Sequence, residues 1–162
     1  MIKPSVMLSI RPEWCFLIAQ GKKTLEIRKN KPRIQLPFKC FIYQTKAKHG
    51  DWNKKKNGRV IGEFVCDKLV PIKVFDDAIQ HYLYFGINNS CVPYDDIVNY
   101  IGNERMGYGW NITNLVIYDR PKEISDFYTE NNAAYDCPML MKMKRPPQSW
   151  CYVEGRVTDE NA

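Results

Sequence analysis

The chain lacks any long apolar run. None of its segments approaches the roughly 20 consecutive apolar residues that a transmembrane helix requires. Its first residues also lack the basic-then-apolar pattern of a secretory signal peptide. These absences predict a cytoplasmic protein with no membrane partner.

Motifs for metals, cofactors and covalent catalysis are missing as well. The chain has two histidines, His49 and His81, and its six cysteines are far apart with no C-x-x-C pair. Scattered cysteines within apolar runs are typical of reduced core thiols rather than of a zinc site. No G-x-x-x-x-G-K-[ST] loop occurs, and no serine or cysteine lies in a recognisable nucleophile motif. We therefore predict no metal and no cofactor.

What the chain has in excess is positive charge. Its 24 lysines and arginines exceed its 18 acidic residues, which gives a formal net charge of +6. Such a balance favours a polyanionic partner, nucleic acid first, although the same charge would also serve solubility. Aromatic residues make up 13% of the sequence, and tyrosine and tryptophan rings are what base stacking needs. The length is usual for one domain, so we expect residues 1–162 to form a single unit.

Apolar periodicity predicts a strand, a helix and a second strand near the start of the chain. Residues 6–10 alternate between apolar and other side chains, which indicates a strand. Pro12 opens a short apolar helix over residues 14–20, and Gly21 closes it as a left-handed cap. The next segment, residues 24–28, alternates again. One face carries Leu25 and Ile27, and the other carries Thr24, Glu26 and Arg28.

Later segments complete the predicted fold. We expect strands over residues 38–45, 59–70 and 110–118, a helix over 94–101, a turn at 119–121, and an extended segment from 145 that ends in a closing strand. Gly62 is a predicted bulge or point of close approach. Two basic loops, residues 29–37 and 49–58, separate the middle strands. Several short strands interrupted by two helices predict an α+β fold, a mixed β-barrel flanked by short helices.

The order of these motifs resembles the ASCH (activating-signal-cointegrator homology) domain. Residues 8–12, Leu-Ser-Ile-Arg-Pro, precede residues 21–28, Gly-Lys-Lys-Thr-Leu-Glu-Ile-Arg, which resemble the G-x-K-x-x-E-x-R signature of the family. Residues 41–43, 110–112, 118–121 and 127 are similar to later parts of the family pattern. The closing segment, residues 145–154, is similar to an ending found in ASCH proteins of phages and prophages. The resemblance covers most of the chain, from about residue 6 to residue 154.

The resemblance implies a PUA-like fold, in which a small barrel with flanking helices holds a cleft beside the signature strand. Related PUA-like domains bind RNA or modified bases. Some small ASCH proteins are amidohydrolases that remove an acyl group from a modified cytidine, and others act as ribonucleases. The amidohydrolase pattern uses the signature lysine, here Lys23, a threonine two residues before the signature arginine, and a glutamate elsewhere. Glu26 occupies the threonine position here, so the nucleophile of that pattern is missing.

The signature strand predicts a charged group in the cleft. Glu26 and Arg28 lie on one face of a strand, about 7 Å apart along the chain, and Lys23 stands at its entry. Lys23 and Arg28 could hold a phosphate or a base carbonyl, while Glu26 could accept a hydrogen bond from a base amino group. Alternatively, Arg28 and Glu26 form an ion pair that closes the barrel. A catalytic interpretation would use Lys23, Thr24 and Glu26, with Glu26 as a general base.

Residues outside the signature are further candidates for the same cleft. These candidates are Arg11, Tyr43, Lys46, Trp110, Ser149 and Trp150. Tyr43 and Trp110 could stack on a base, and core packing is the alternative for both. Arg11 either lines the cleft or is a surface arginine. The run of lysines at residues 54–56 either contacts phosphates or is a solvated loop.

Three functions are open on this evidence. The first is an RNA- or nucleotide-binding protein that reads RNA or a modified base in a basic cleft, and the charge balance and the resemblance favour it. The second is a small hydrolase, either an amidohydrolase on an acylated nucleoside or a ribonuclease, that uses Lys23 and Glu26. The third is a phage accessory protein that binds a host protein, which an exposed apolar patch would favour.

Overall fold

The computed structural model describes residues 4–47, 55–80, 86–131 and 139–154. These ranges contain two α-helices, α1 (Pro12–Ala19) and α2 (Tyr94–Ile101). The strands are β1 (Pro4–Ile10), β2 (Leu25–Arg28), β3 (Phe38–Gln44), β4 (Arg59–Cys66), β5 (Leu69–Phe75), β6 (Ala78–Ile79), β7 (Met106–Asn111), β8 (Thr113–Lys122), β9 (Tyr128–Asn131), β10 (Met139–Lys142) and β11 (Trp150–Glu154). His49, His81, Lys54 and Cys137 lie outside the described residues.

A mixed five-stranded sheet with the order β11-β1-β3-β4-β8 forms the larger half of the fold. The strand β1 runs antiparallel to β11 and parallel to β3, so it lies inside the sheet. Its side chains alternate between two cores: Val6, Leu8 and Ile10 pack in the main core, and Met7 packs on the opposite face. Because both faces are covered, the strand is apolar along most of its length.

The second sheet has four strands in the order β2-β7-β5-β6 and carries the signature strand at its edge. In β2, Leu25 and Ile27 pack with Ile97 and Ile101 of α2 in a second core cluster. The other face of β2 carries Glu26 and Arg28, which lie opposite Trp110 and Tyr108 of β7. The predicted alternation of β2 is therefore confirmed.

The turn between α1 and β2 positions the start of the signature strand. Pro12 lies in the first turn of α1, where its missing N–H breaks no hydrogen bond. Gly21 has a φ of 71°, and the backbone N–H of Lys22 donates to the carbonyl of Leu17 at 3.0 Å. This left-handed end of the helix is the predicted one. It turns the chain at once toward β2, so that Lys23 enters the interior.

Two strands predicted as continuous are each split between the sheets. The prediction over residues 59–70 is wrong at Asp67 and Lys68, two exposed residues between β4 and β5. The prediction over 110–118 is wrong at Ile112, which separates β7 from β8 and donates its N–H to the carbonyl of Thr24 at 2.9 Å. In both places the chain leaves one sheet for the other while the apolar pattern continues, so periodicity does not reveal the break.

The turn predicted at residues 119–121 is also wrong, because these residues lie within β8. This strand is the edge of its sheet, where Pro121 removes no ladder hydrogen bond that a neighbour needs. Its pairing with β4 is interrupted next to Gly62, as predicted for that glycine. A Cβ at Gly62 would collide with the carbonyl oxygen of Val116, so this position requires close backbone approach.

The sequence also failed to predict two hairpins. The first joins β5 to β6 through Asp76 and Asp77, which have φ values of 54° and 52°. The second is the β9–β10 ribbon, which packs beside β11. In the first hairpin, positive φ at both central residues is the geometry of a tight turn that usually takes Asn-Gly. The pair Asp76-Asp77 is not typical of that turn, so the sequence did not indicate it.

The described strands form a half-barrel rather than a closed barrel. β11 and β8 stand at opposite edges of the larger sheet, and no pairing among the described strands joins these edges. The α+β class is confirmed, whereas the closed barrel is not shown. Neither α1 nor α2 has the length or apolar content of a membrane-crossing helix, and no other described helix does. The single domain and the cytoplasmic location stay predictions.

Candidate functional site

Three charged side chains of the signature meet in the interior. Lys23, Glu26 and Arg28 expose 1%, 6% and 7% of their surface. The Lys23 Nζ lies 3.1 Å from Glu26 Oε2, and an Arg28 guanidinium nitrogen lies 2.9 Å from Glu26 Oε1. One carboxylate thus binds two cations, one at each oxygen, which is how buried charges are normally compensated. The predicted Arg28–Glu26 ion pair is present, with Lys23 as a third member.

The hydrogen-bonding capacity of Lys23 is used within the protein. Besides its contact with Glu26, its ammonium donates to the carbonyl of Leu25 at 2.9 Å and to that of Ser90 at 2.7 Å. An ammonium has three protons, and these three acceptors match them. The ring of Trp14 lies 5.3 Å from the same nitrogen. Lys23 therefore joins the signature strand to the segment before α2.

Arg28 connects three parts of the chain that are distant in sequence. Its guanidinium donates to the carbonyl of Ser9 at 2.8 Å, and to the carbonyl and hydroxyl of Ser149 at 3.2 and 3.1 Å. Ser9 in turn donates its hydroxyl to the carbonyl of Pro147 at 2.6 Å. These bonds fix the closing segment against β1 and β2. The Nε of Arg28 is buried and has no hydrogen-bond partner among the described residues.

Glu26 is held in its ionised form. Burial raises the pKa of its carboxyl group, but the charges of Lys23 and Arg28 and their hydrogen bonds outweigh burial and leave the pKa below its ordinary value. At neutral pH the group is therefore a carboxylate, an acceptor with spare lone pairs.

A cleft of about 490 Å³ opens above these residues. Its charged and hydroxyl lining comes from Ser9, Arg11, Lys23, Glu26, Arg28, Thr45, Asp96 and Ser149. Two aromatic rings also line it: Trp14 is half-buried, and Tyr100 of α2 is 40% exposed. The cleft thus combines a buried charged floor with aromatic walls.

The structure brings part of the predicted set together and separates the rest. Arg11 is exposed and lines the cleft together with Ser149. Trp110 is fully buried against Phe38, and Tyr43 packs in the core beneath β3, so neither ring is offered to a base.

Other candidates also lie outside the cleft lining. Thr24 does not line the cleft, and its N–H donates to the carbonyl of Asn89. Lys46 is exposed beyond β3, beside Gly58. Trp150 packs on the main core. Of the lysine run, Lys55 is exposed and Lys56 is half-buried.

Trp14 and Tyr100 are cleft residues that the sequence did not reveal. Trp14 belongs to an apolar helix whose composition does not tell which ring faces a ligand. Tyr100 follows the apolar spacing of α2, yet that helix buries Ile97, Val98 and Ile101 instead. The position of Tyr100 beside the buried face of α2 was a partial indication, because the tyrosine ring is apolar and its hydroxyl is polar, which suits the rim of a cleft.

No group of three or more metal-ligating side chains occurs in the parts of the chain that the structure describes. The described cysteines are free thiols, and burial raises the pKa of Cys66 to about 12 and that of Cys151 to about 11. A thiol with so high a pKa is almost entirely protonated at neutral pH and is therefore a poor nucleophile.

Similarity to one known protein family extends over most of the chain. The model described as the ASCH domain matches residues 8–137, which is most of the chain. The chain belongs to the ASCH family. ASCH domains are generally associated with RNA binding, and the fold fits the PUA-like superfamily. No curated protein matches the sequence at a significant level.

Solved structures of an ASCH protein from Zymomonas mobilis are similar to this chain. The first has a TM-score of 0.63 and 18% identity, and the match covers 93% of this chain and 88% of that chain. A tyrosine-to-phenylalanine mutant of that protein has a TM-score of 0.57 and 16% identity, with 93% and 91% covered. A serine-to-alanine mutant has a TM-score of 0.56 and 17% identity, with 93% and 89% covered. At these identities the similarity establishes the ASCH fold.

The lowered pKa of Glu26 predicts acid sensitivity in this ASCH domain. A carboxyl group whose pKa is lower when folded stabilises the fold above its ordinary pKa, about 4.5, and loses that contribution as the pH falls. The expected slope between the two values is about 1.4 kcal/mol per pH unit for one group. Urea unfolding of the wild type and of Glu26→Gln between pH 3 and pH 7 would measure it.

The same experiment has an internal reference in Glu63, whose pKa is also lowered. Burial raises the pKa of Glu63, and hydrogen bonds from Tyr118 and Lys39 outweigh this effect. Glu63→Gln should remove its own share of the acid sensitivity and keep that of Glu26. An acid profile that is unchanged in Glu26→Gln would contradict the assignment.

Proposed function

We propose that this ASCH domain binds RNA or a nucleotide in the cleft, with a base directed inward to Glu26 and a phosphate directed outward to Arg11. One observation carries this orientation: the cations on the cleft floor are bonded within the protein, while the carboxylate between them keeps acceptor capacity. A base with an exocyclic amino group supplies the missing donor.

The count of donors and acceptors supports Glu26 as the contact for the base. A carboxylate offers about four lone-pair sites, and Lys23 and Arg28 occupy one at each oxygen. Hydrogen bonds to an ionised acceptor contribute about 1.5–3 kcal/mol, roughly twice the value of neutral pairs. Adenine, cytosine and guanine carry exocyclic amino groups, and a modified base that keeps an N–H there satisfies the same acceptor.

The rest of the cleft fits the other parts of a nucleotide. Its volume of about 490 Å³ lies within the usual range of small-molecule sites. Trp14 and Tyr100 can stack on a base, which is worth about 1–3 kcal/mol per ring. Arg11 is exposed at the cleft, where a phosphate remains partly in solvent. A planar, charged and bidentate donor suits that partner.

This proposal changes the roles expected of Lys23 and Arg28. Both were candidates for holding a phosphate, but a phosphate would have to displace bonds to Glu26, Ser90 or Ser149. We therefore assign them to positioning: they fix the orientation and charge of Glu26. We assign the phosphate contact to Arg11 instead.

The hydrolase alternative has less support from the cleft. Lys23 would have to give up a buried ion pair to act on a substrate, and Thr24 does not line the cleft. The catalytic roles of Lys23, Thr24 and Glu26 stay a prediction. The phage association and the host-protein partner also stay predictions.

The orientation can be tested with mononucleotides and nucleosides by calorimetry. Wild-type protein should bind AMP and CMP more tightly than UMP, which has no amino group. Arg11→Ala should weaken AMP binding about fivefold, the value of one solvent-exposed charged contact of about 1 kcal/mol, and leave adenosine binding unchanged. Arg120→Ala removes an exposed arginine of β8 and is the matched control.

Two results would contradict the proposal. Equal affinity for UMP and AMP would show that binding does not depend on an amino group of the base, which contradicts the assigned contact with Glu26. Equal losses of AMP and adenosine binding in Arg11→Ala would show that Arg11 contacts the base end rather than the phosphate.

A further inference from the structure

The cleft contains a second carboxylate, Asp96, which the contact between Glu26 and a base does not use. Asp96 lines the cleft, is exposed, and lies in the first turn of α2. Glu26 binds two cations, whereas Asp96 forms no ion pair with any residue that the structure describes. The oxygens of Asp96 can therefore accept hydrogen bonds from a ligand.

The helix α2 places this carboxylate next to a ring that can stack on a base. Asp96 and Tyr100 are four residues apart, so they lie on the same face of α2, about 6 Å from each other along the helix axis. Both residues line the cleft. The ribose of a nucleotide is joined directly to its base, and a base on Tyr100 therefore brings the sugar within reach of Asp96.

The charge of Asp96 decides which part of a nucleotide it can contact. A phosphate beside it would bring two negative charges together, which is strongly unfavourable. The contact with the base is assigned to Glu26. The remaining donors of a ribonucleotide are the hydroxyls of its sugar, and a carboxylate is the group that binds a ribose hydroxyl in dinucleotide-binding folds.

The cleft offers one cation to a phosphate. Its basic residues are Arg11, Lys23 and Arg28, and the last two are bonded to Glu26. Arg11 forms no ion pair with the described residues and is exposed. A nucleotide inside a strand carries a phosphate on each side of its sugar, whereas a free 5′-nucleotide or a nucleotide at a 3′ end carries its phosphate on the 5′ side alone. The cleft matches the second kind of ligand.

We infer that the cleft selects a ribonucleotide with a 5′-phosphate and a free 2′,3′-diol, and that Asp96 is the residue that binds the diol. The two neighbouring hydroxyls donate to the carboxylate of Asp96, and the 5′-phosphate lies beyond the sugar at Arg11. A 3′-phosphate would replace one of these donors by a negative charge next to the carboxylate. The inference rests on the proposed function, because it uses the same cleft and the same phosphate contact.

Calorimetric titration of the wild type with 5′-AMP, 3′-AMP and 5′-dAMP tests the selection. The tightest ligand should be 5′-AMP. Because 5′-dAMP lacks the 2′-hydroxyl, it should bind about fivefold more weakly, the usual effect of one hydrogen bond. The affinity for 3′-AMP should be roughly 20-fold lower than for 5′-AMP, because its phosphate lies far from Arg11 and meets Asp96.

Substitutions at Asp96 separate the hydrogen bonds from the charge. Asp96→Ala should lower the affinity for 5′-AMP about fivefold and raise that for 3′-AMP. Asp96→Asn keeps an oxygen acceptor without the charge, so it should retain part of the preference for ribose over deoxyribose and lose the rejection of 3′-AMP. Asp95→Ala is the matched control, since Asp95 is exposed in the same turn of α2 but does not line the cleft. Its affinities should equal those of the wild type.

A trinucleotide with a free 3′-hydroxyl distinguishes the two sources of such a ligand. Tighter binding than that of 5′-AMP identifies the 3′ end of a strand, and weaker binding identifies a free nucleotide. Both results support the inference if the same trinucleotide with a 3′-phosphate binds about tenfold more weakly than the one with the hydroxyl.

The remaining outcomes overturn the inference alone or together with the proposed function. Equal binding of 5′-AMP and 3′-AMP by the wild type, or an equal loss in Asp95→Ala and Asp96→Ala, would overturn the role of Asp96 and leave the nucleotide cleft. A gain in 5′-AMP affinity in Asp96→Ala would show that Asp96 faces the 5′-phosphate, which also overturns the inference. A wild type that binds none of the nucleotides would overturn both.

Discussion

Replacing Lys23 with alanine is expected to lower the free energy of unfolding by about 3–5 kcal/mol, the usual effect of removing one partner from a buried ion pair. The side chain is 1% exposed, and its loss leaves Glu26 with one cation. The carbonyls of Leu25 and Ser90 would also lose their donor. Urea unfolding at pH 7, followed by tryptophan fluorescence, would measure the change.

The neighbouring Lys22→Ala is the control, because Lys22 is exposed. It should change the stability by less than about 0.5 kcal/mol. A Lys23→Ala protein within 1 kcal/mol of the wild type would show that the ion pair contributes little to the fold. If the large loss is found, a binding defect in Lys23→Ala reports a destabilised fold, so Arg11 is a better place to test ligand contacts.

Replacing Trp110 with alanine should cost about 3–5 kcal/mol of stability. Its ring is 0% exposed, lies edge-on to Phe38 at 5.6 Å, and packs near Trp150 at 5.9 Å. Trp110→Phe should cost much less, because it keeps an aromatic ring. It also removes the indole N–H, which has no partner among the described residues and whose burial is itself unfavourable by about 1–3 kcal/mol.

The same pair of variants tests the interpretation of Trp110 as a base platform. In Trp110→Phe, the affinity for AMP should equal that of the wild type, since the ring is inside the core. Thermal unfolding and calorimetric titration of both variants would give the two quantities on the same samples. A stable Trp110→Phe protein that does not bind AMP would restore Trp110 as a ligand contact.

The sequence predicted the start of the fold well because short-range pattern and local chemistry agree there. Alternation gave β1 and β2, and Pro12 and Gly21 marked the ends of α1. The pattern failed at Asp67 and Ile112, where the chain crosses between sheets within one apolar run. Sheet membership depends on partners far away in the sequence, and periodicity carries no information about them.

Only part of the candidate site could be predicted from the sequence. The two-residue period of a strand predicts that Glu26 and Arg28 share a face. In the structure an Arg28 guanidinium nitrogen lies 2.9 Å from Glu26 Oε1. Which aromatic rings meet these charges depends on how α1 and α2 pack over the sheet. Trp14 and Tyr100 were therefore identified as cleft residues only from the three-dimensional arrangement. Trp110 pairs with Glu26 across β2 and β7, but its ring is buried within the main core.

The pairing of β1 with β11 has a consequence for the order in which the molecule forms. Leu8 pairs with Trp150, so β1 cannot complete its pairing until a segment about 140 residues later in the chain has been synthesised. Contacts between residues so far apart in the sequence slow folding, and they leave one edge of β1 unpaired while the chain is still being synthesised. Since Ser9 and Arg28 are bridged by the same late segment, the cleft lacks part of its wall until residues 147–149 have been synthesised, and a nascent chain cannot hold a ligand in the complete cleft before then.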